Sequence, residues 1–258
     1  MKRKYKIGIL ISCIIVVIAF WFLFSLVSFL RPVSAVPAQK SSIQSSLEIL
    51  DDIENPDSVS DCTLNVPYLS QENVFPAGCE IVSTAMVLQY WGIHISPQEL
   101  AEILPCEFLY EDTEGLHGPD PNEYFVGSPF DPNSYGCYAP VIANLVSVAA
   151  PSLSSYVLYD CSLEELYENY VSQGIPVLLW CTINMLESYG STIWILPDGS
   201  AFTWRSNEHC LVLTGRENGN YICMDPYDSN GQASISSTLL EQRYEEMGSQ
   251  AVAIGPES

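Results

Sequence analysis

The chain has 258 residues, of which 48% are apolar, 16% charged and 11% aromatic; it can bury a sizeable core and is too apolar for general disorder. Its formal charge of −22 is unevenly placed, with six of the nine Lys and Arg in residues 1–40, where no acid occurs, and three bases against 31 acids thereafter. So acidic a body repels phosphate backbones and excludes nucleic-acid partners; solubility is the plainest reason for the charge, a cationic or basic-peptide partner a second one.

Met1 to Lys6 is basic, and Ile7 to Leu30 is a run of 24 residues without a charge, closed by Arg31-Pro32. A helix rises about 1.5 Å per residue, so this run is long enough to cross a hydrocarbon core of about 30 Å. Residues 1–31 are therefore predicted as one transmembrane helix. Positive charge before the span places the rest outside, giving a single-pass protein of the cell membrane with an extracytoplasmic C-terminal domain. A signal peptide cleaved near Val33-Ser34-Ala35 would give a secreted protein instead; the apolar run is about twice a usual signal core, which favours the anchor. Leu10-Ile11-Ser12-Cys13 has the look of a lipobox, but the apolar run follows the cysteine rather than preceding it.

Residues 32–63 are rich in Ser, Asp and Glu and read as an exported linker, with a short helix over Ser46–Ile53. One domain, residues 64–258, follows. Cys79 to Tyr90 is predicted as a helix buried all round, preceded by Pro76-Ala77-Gly78 and ended by Gly92. Ser96-Pro97-Gln98-Glu99 and Ser162-Leu163-Glu164-Glu165 are capping boxes that open further helices, and Tyr138 to Ala149 is another. Residues 111–136 form a long Gly/Pro/Asp/Asn loop. Strands are expected at Pro176–Ile183, at Thr192–Leu196 with Ala201–Trp204, and at Glu208–Thr214 with Tyr221–Asp225 around Asn218-Gly219. Helices first and antiparallel strands later make an α+β domain.

Nine cysteines are present, with Cys13 inside the apolar run. There is no Cys-x-x-Cys pair and no zinc-ligand spacing, so no metal or cofactor is expected. Cys181, Cys210 and Cys223 sit in apolar strand-like runs as small core hydrophobes; one or two disulfides among the others stay open.

Cys79 stands apart because it opens a helix, whose positive end favours a thiolate, although an ordinary buried thiol fits the same position. A thiolate nucleophile needs a base and the base needs an orienting partner. The histidines are His94, just past the helix and structural or superficial, His117 in the long loop, and His209 at the start of an apolar strand. Asp225 ends the next strand. A tight Asn-Gly turn would put Asp225 three positions out of register with His209, so pairing them requires a longer or bulged connection with both side chains on one face. On its own, Asp225 reads as a strand-ending Asp-Pro turn. Gln71 offers a side-chain amide near the nucleophile for an oxyanion. His117, Trp194 and Trp204 are candidates for lining a substrate cleft; Trp180 reads as core.

Together these segments resemble a known family. Asn65-Val66-Pro67-Tyr68-Leu69-Ser70-Gln71, Gly78-Cys79-Glu80 with Ser83 and Met86, Gly118-Pro119-Asp120-Pro121, Gly136-Cys137-Tyr138-Ala139-Pro140, His209 to Gly215 and Asp225-Pro226 occur in order over about residues 64–254. This set is similar to the bacteriocin-leader-processing cysteine peptidases and their stand-alone relatives, in the papain-like superfamily. The resemblance implies Cys79 as nucleophile, His209 as base, Asp225 as its orienting residue and Gln71 as oxyanion donor. It also implies a helical half and an antiparallel sheet half with the cleft between them. No transporter module accompanies the domain, so coupling to leader-peptide export is not implied; stand-alone members are poorly defined in substrate, and double-glycine specificity is not carried over. The expected activity is hydrolysis of peptide bonds in a peptide or protein substrate. An inactive papain-like module that binds peptides or cell-wall material, and an amidase or acyl transferase with the same three residues, are the alternatives.

Overall fold

The structure is a computed structural model that describes residues 60–257 apart from 230. The apolar run of residues 7–30, most of the linker and its short helix lie outside the described residues. Among the described residues no helix is long and apolar enough to cross a membrane.

Strand β6 (Val177–Thr182) is buried at all six positions. A strand can be buried at every position only if both its faces are covered. Here Leu178 and Trp180 enter one core, with Cys210, Val212, Val252 and Ile254, while Val177, Leu179 and Cys181 enter a second, with Leu211, Leu213, Ala251 and Ala253. The sheet that separates the two cores has six antiparallel strands in the order β11 (Gln232–Ser236), β10 (Asn220–Met224), β9 (Glu208–Glu217), β6, β12 (Gln250–Pro256) and β5 (Leu153–Tyr159).

Helices α1 (Cys79–Tyr90), α2 (Pro97–Ile103) and α3 (Ala139–Ala149) contribute to the first core. Helix α1 is buried from Cys79 to Leu88, as its all-round apolarity requires, and Ser83 Oγ donates to Cys210 O on β9 at 3.0 Å. Helices α4 (Leu163–Asn169) and α5 (Ser237–Glu246) cover the opposite face. The domain is thus α+β with an antiparallel sheet, but its helices lie on both faces instead of in one half. Ser96 and Ser162 each close the capping box expected of them, with Glu99 and Glu165.

A second sheet runs β2 (Tyr110–Glu111), β3 (Leu116–His117), β7 (Tyr189–Ile195) and β8 (Ala201–Ser206), and β1 (Cys106–Glu107) pairs in parallel with β4 (Phe125–Val126). The long loop is therefore pinned at two short strands. Trp194 and Trp204 are buried there with Val126, and half-buried Tyr135, Tyr138 and Phe202 pack against them. The eight cysteines among the described residues are all free thiols, so none of the disulfides left open by the sequence forms there.

Candidate active site

Gly78 is the N-cap of α1 and carries no capping side chain. A Cβ at that position would lie 2.8 Å from Phe75 Cβ and 3.3 Å from Pro129 Cβ, so only glycine lets the chain turn this closely into the helix. The first backbone N–H groups of α1 point outward at Cys79, where the helix dipole is positive.

His209 comes from β9 and Asp225 from just beyond β10. The connection between these strands is the two-residue Asn218-Gly219 turn, with φ of 51° and 78° at its two positions. With a regular ladder that turn would leave Asp225 and His209 on opposite faces. A bulge intervenes: Ile222 faces Gly215, whereas Cys223 faces Leu213. Thr214 is the extra residue, and its Oγ1 donates to Ile222 O at 3.0 Å. Met224 then faces Val212, which brings Asp225 level with Leu211, diagonal to His209 and on its face. His209 Nε2 lies 2.7 Å from Asp225 Oδ1, which also accepts the Tyr227 N–H at 2.9 Å. An Asp225 carboxylate fixes Nε2 as the protonated nitrogen and leaves Nδ1 as the basic one. Burial raises the Asp225 carboxyl, but His209 and the backbone N–H groups of Tyr227 and Asp228 more than offset it, and it sits below the ordinary aspartate range.

Gln71 is buried, and its N–H donates to Pro226 O at 2.9 Å, tying it to the segment that follows Asp225. One of its Nε2 hydrogens reaches Phe75 O at 3.3 Å. The second Nε2 hydrogen remains for a ligand.

Gln71, Cys79, Tyr135, Trp204, Glu208 and His209 all line one cleft of about 360 Å³. Of the three residues proposed for substrate contact, only Trp204 borders it. Trp194 is buried and donates Nε1–H to Pro119 O at 3.0 Å. His117 lines a separate cavity beside Tyr110 and Pro197, where its ring stacks on Tyr110 and its Nε2 lies 3.1 Å from Asp112 Oδ1. Trp180 is wholly buried, with Nε1–H on Cys137 O at 2.8 Å, and His94 is exposed.

The thiol of Cys79 is not hydrogen-bonded to His209. Cys79 Sγ donates to Glu80 Oε2 at 3.3 Å, and Glu80 Oε1 accepts the Cys137 N–H at 2.7 Å. Glu208 stands close by: the thiol sulfur and one oxygen of each carboxyl are mutually within 4.8 Å. This grouping is already hydrogen-bonded within itself and to Cys137, and no metal is assigned to it. Burial, reinforced by Glu80, Glu208 and Cys210, pushes the Cys79 thiol well above its ordinary value. The helix start acts in the opposite sense, favouring the thiolate that burial and the two carboxyls disfavour. Neither Glu80 nor Glu208 was singled out by the sequence for a role of its own. The available signal was a carboxylate inside the otherwise apolar start of α1.

Residues 63–252 match the model of the peptidase C39 like family. The uncharacterized protein YvpB of Bacillus subtilis (strain 168) is 32% identical over 178 residues, 69% of this chain and 68% of that protein. A crystal structure of a C39-like protein from Bacillus anthracis superposes with a TM-score of 0.69 at 29% identity, over 77% of this chain and 99% of that one. The peptidase domain of Streptococcus ComA, a bifunctional ABC transporter, gives 0.46 at 14% identity over 75% of this chain and all of that domain; at that likeness nothing about substrate transfers. The match over most of the domain and the shared architecture lead to one conclusion: this chain belongs to the peptidase C39-like family, whose fold is that of a cysteine peptidase.

Proposed function

We propose that the domain hydrolyses peptide bonds through Cys79, His209 and Asp225, outside a membrane in which residues 7–30 anchor it. The observation that carries the catalytic part is that Cys79 and His209 line one cleft while Asp225 holds the far nitrogen of the imidazole. The membrane part rests on the charge-free run and its basic flank.

In this reading Cys79 Sγ turns from Glu80 towards His209, whose Nδ1 takes the thiol proton. The sulfur adds to the substrate carbonyl, and the oxyanion is met by the Cys79 N–H and the free Nε2–H of Gln71. His209 then gives its proton to the leaving amine, and water, activated by the same nitrogen, releases the acyl group. Trp204 and Tyr135 form an aromatic side of the cleft.

A second reading, a peptide-binding module without turnover, is favoured by one observation: the resting thiol is bonded to a carboxyl and not to the imidazole. The two separate in a peptide-library digest followed by mass spectrometry. The peptidase gives products that Cys79→Ala and His209→Ala abolish. Retained turnover in Cys79→Ala would remove the nucleophile from this proposal.

A further inference from the structure

Glu80 and Glu208 approach each other beside the proposed nucleophile, Glu80 in the core and half-buried Glu208 at the wall of the cleft. Glu80 is fully buried, and Oε1 of Glu208 is sealed from solvent with no hydrogen-bond partner. Both lie against Gly136, where an added Cβ would stand 2.6 Å from Glu80 Oε1 and 3.0 Å from Glu208 Oε2. Two carboxylates so near each other with little water between them resist being charged together, and a carboxyl oxygen sealed from solvent without a donor is a poor place for charge. The titratable and charged groups whose electrostatics couple to the pair are the thiols of Cys79, Cys137, Cys106, Cys210 and Cys181, the imidazole of His209, and the Tyr138 hydroxyl, which Arg205 also influences.

We propose that Glu80 and Glu208 share one proton beside Cys79 and are positioning residues that hold the resting nucleophile as a thiol, with Glu80 as the acceptor of its S–H. This rests on the assignment of Cys79 as nucleophile. The resting site is then a neutral thiol next to a pair of net charge −1. The thiolate forms only when the sulfur leaves Glu80 Oε2 and its proton passes to His209 Nδ1; the pair's own proton does not move. Burial raises both carboxyls, and Glu80 raises Glu208 further, in keeping with a shared proton.

A shared proton gives the two glutamates unequal effects on substitution. In Glu208→Gln the proton is no longer shared, and Glu80 becomes a full carboxylate in contact with the thiol. In Glu80→Gln the remaining charge sits on Glu208, and the new amide can donate to a thiolate while its oxygen still accepts the Cys137 N–H. The test is the pH dependence of iodoacetamide uptake at Cys79 in the full chain, read by mass spectrometry. The midpoint should fall by about one pH unit in Glu80→Gln, a tenfold change in the thiol equilibrium. It should stay or rise in Glu208→Gln, and it should fall furthest in the double variant. Two independent charges would instead lower the midpoint in both single variants, and that result overturns the proposal. So does an unchanged midpoint in Glu80→Gln. Protection of Cys137 and Cys210 from the reagent verifies that each variant is folded. Turnover that survives Cys79→Ala would defeat the peptidase reading separately, and the uptake profiles would still decide the pair.

Discussion

Asp225 offers the sharpest quantitative test of the site. Its Oδ1 accepts two donors, His209 Nε2–H at 2.7 Å and Tyr227 N–H at 2.9 Å. In Asp225→Asn the Tyr227 N–H selects the amide oxygen for this position, because an NH₂ there would face a donor. The oxygen still accepts from Nε2, so the tautomer survives, while the charge that the Tyr227 and Asp228 N–H groups also stabilise is lost. A hydrogen bond to a charged group contributes about 1.5–3 kcal/mol and a neutral one about 0.5–1.5 kcal/mol. The difference, about 1–1.5 kcal/mol, corresponds to a loss of about tenfold in kcat/KM. Asp225→Ala removes the whole interaction, frees the imidazole to turn and strands the Tyr227 N–H, and should cost about a hundredfold. The assay is kcat/KM on a fluorogenic peptide chosen from the library digest, with urea unfolding as a control for fold. Wild-type turnover in Asp225→Ala would refute the orienting role. Equal losses in the two variants would refute the argument that Tyr227 selects the amide oxygen.

The same carboxyl marks the acid limb of stability. Because it binds its proton more weakly in the folded state than an ordinary aspartate does, it stabilises the fold above about pH 4 and stops doing so as pH falls through its folded value. The stability difference between wild type and Asp225→Asn, measured by urea unfolding, should therefore be full at pH 6 and shrink towards pH 3; a constant difference would contradict this sign. Gly78→Ala places a methyl 2.8 Å from Phe75 Cβ, and should lower stability by about 1–3 kcal/mol with an unchanged urea slope. Trp180→Phe removes the donor to Cys137 O in the core and should cost about 1–3 kcal/mol in the same assay, whereas a neutral result would mean that the carbonyl finds another partner. In native labelling, Cys137, Cys181, Cys210 and Cys223 should stay unmodified, and half-buried Cys106, raised to about 11 by burial and by Glu80, should react slowly at pH 8.

What could be read from the sequence was whatever one segment determines alone. Helix α1 is apolar around its whole circumference between a Pro-Ala-Gly break and Gly92, and it forms over the residues expected. Strand β6 was legible as a strand because five successive residues, Val177 to Cys181, are apolar. Strand β12 was not: Gln250–Pro256 is short of large side chains and has meaning only because it fits between β6 and β5, far away in the chain. Strand β5 is only half-buried at the sheet edge, and Leu153–Tyr159 shows little alternation to announce it. Helix α5 likewise buries only Leu240, Arg243 and Tyr244, too thin a stripe to stand out among polar neighbours. That five helices among the described residues lie on two faces is a property of packing, which no single period encodes.

The candidate site divides in the same way. Cys79, His209 and Asp225 were nameable because helix start, strand start and strand end are local positions. Their convergence was reducible to a question of register, since the Asn-Gly turn and a shared face cannot both hold on a regular ladder. Thr214 resolves the conflict as the bulged residue, and its hydroxyl bond to Ile222 O holds the irregularity in place. A β-branched threonine in the middle of an apolar strand carries no mark of that role. The Glu80–Glu208 pair lay further from view, because a carboxylate beside a nucleophile reads as a charge until a second one is found against it. Deleting Thr214 would close the bulge and leave Gly215 opposite Ile222 and Leu213 opposite Cys223, so Asp225 would stay level with Leu211 and on the face of His209. The sheet should still pair, because β6 and the turn are untouched, so the deletion should keep a cooperative urea transition and turnover well above that of Asp225→Ala. A Thr214 deletion that folds cooperatively but turns over no faster than Asp225→Ala would mean that register alone does not bring the imidazole and carboxylate together.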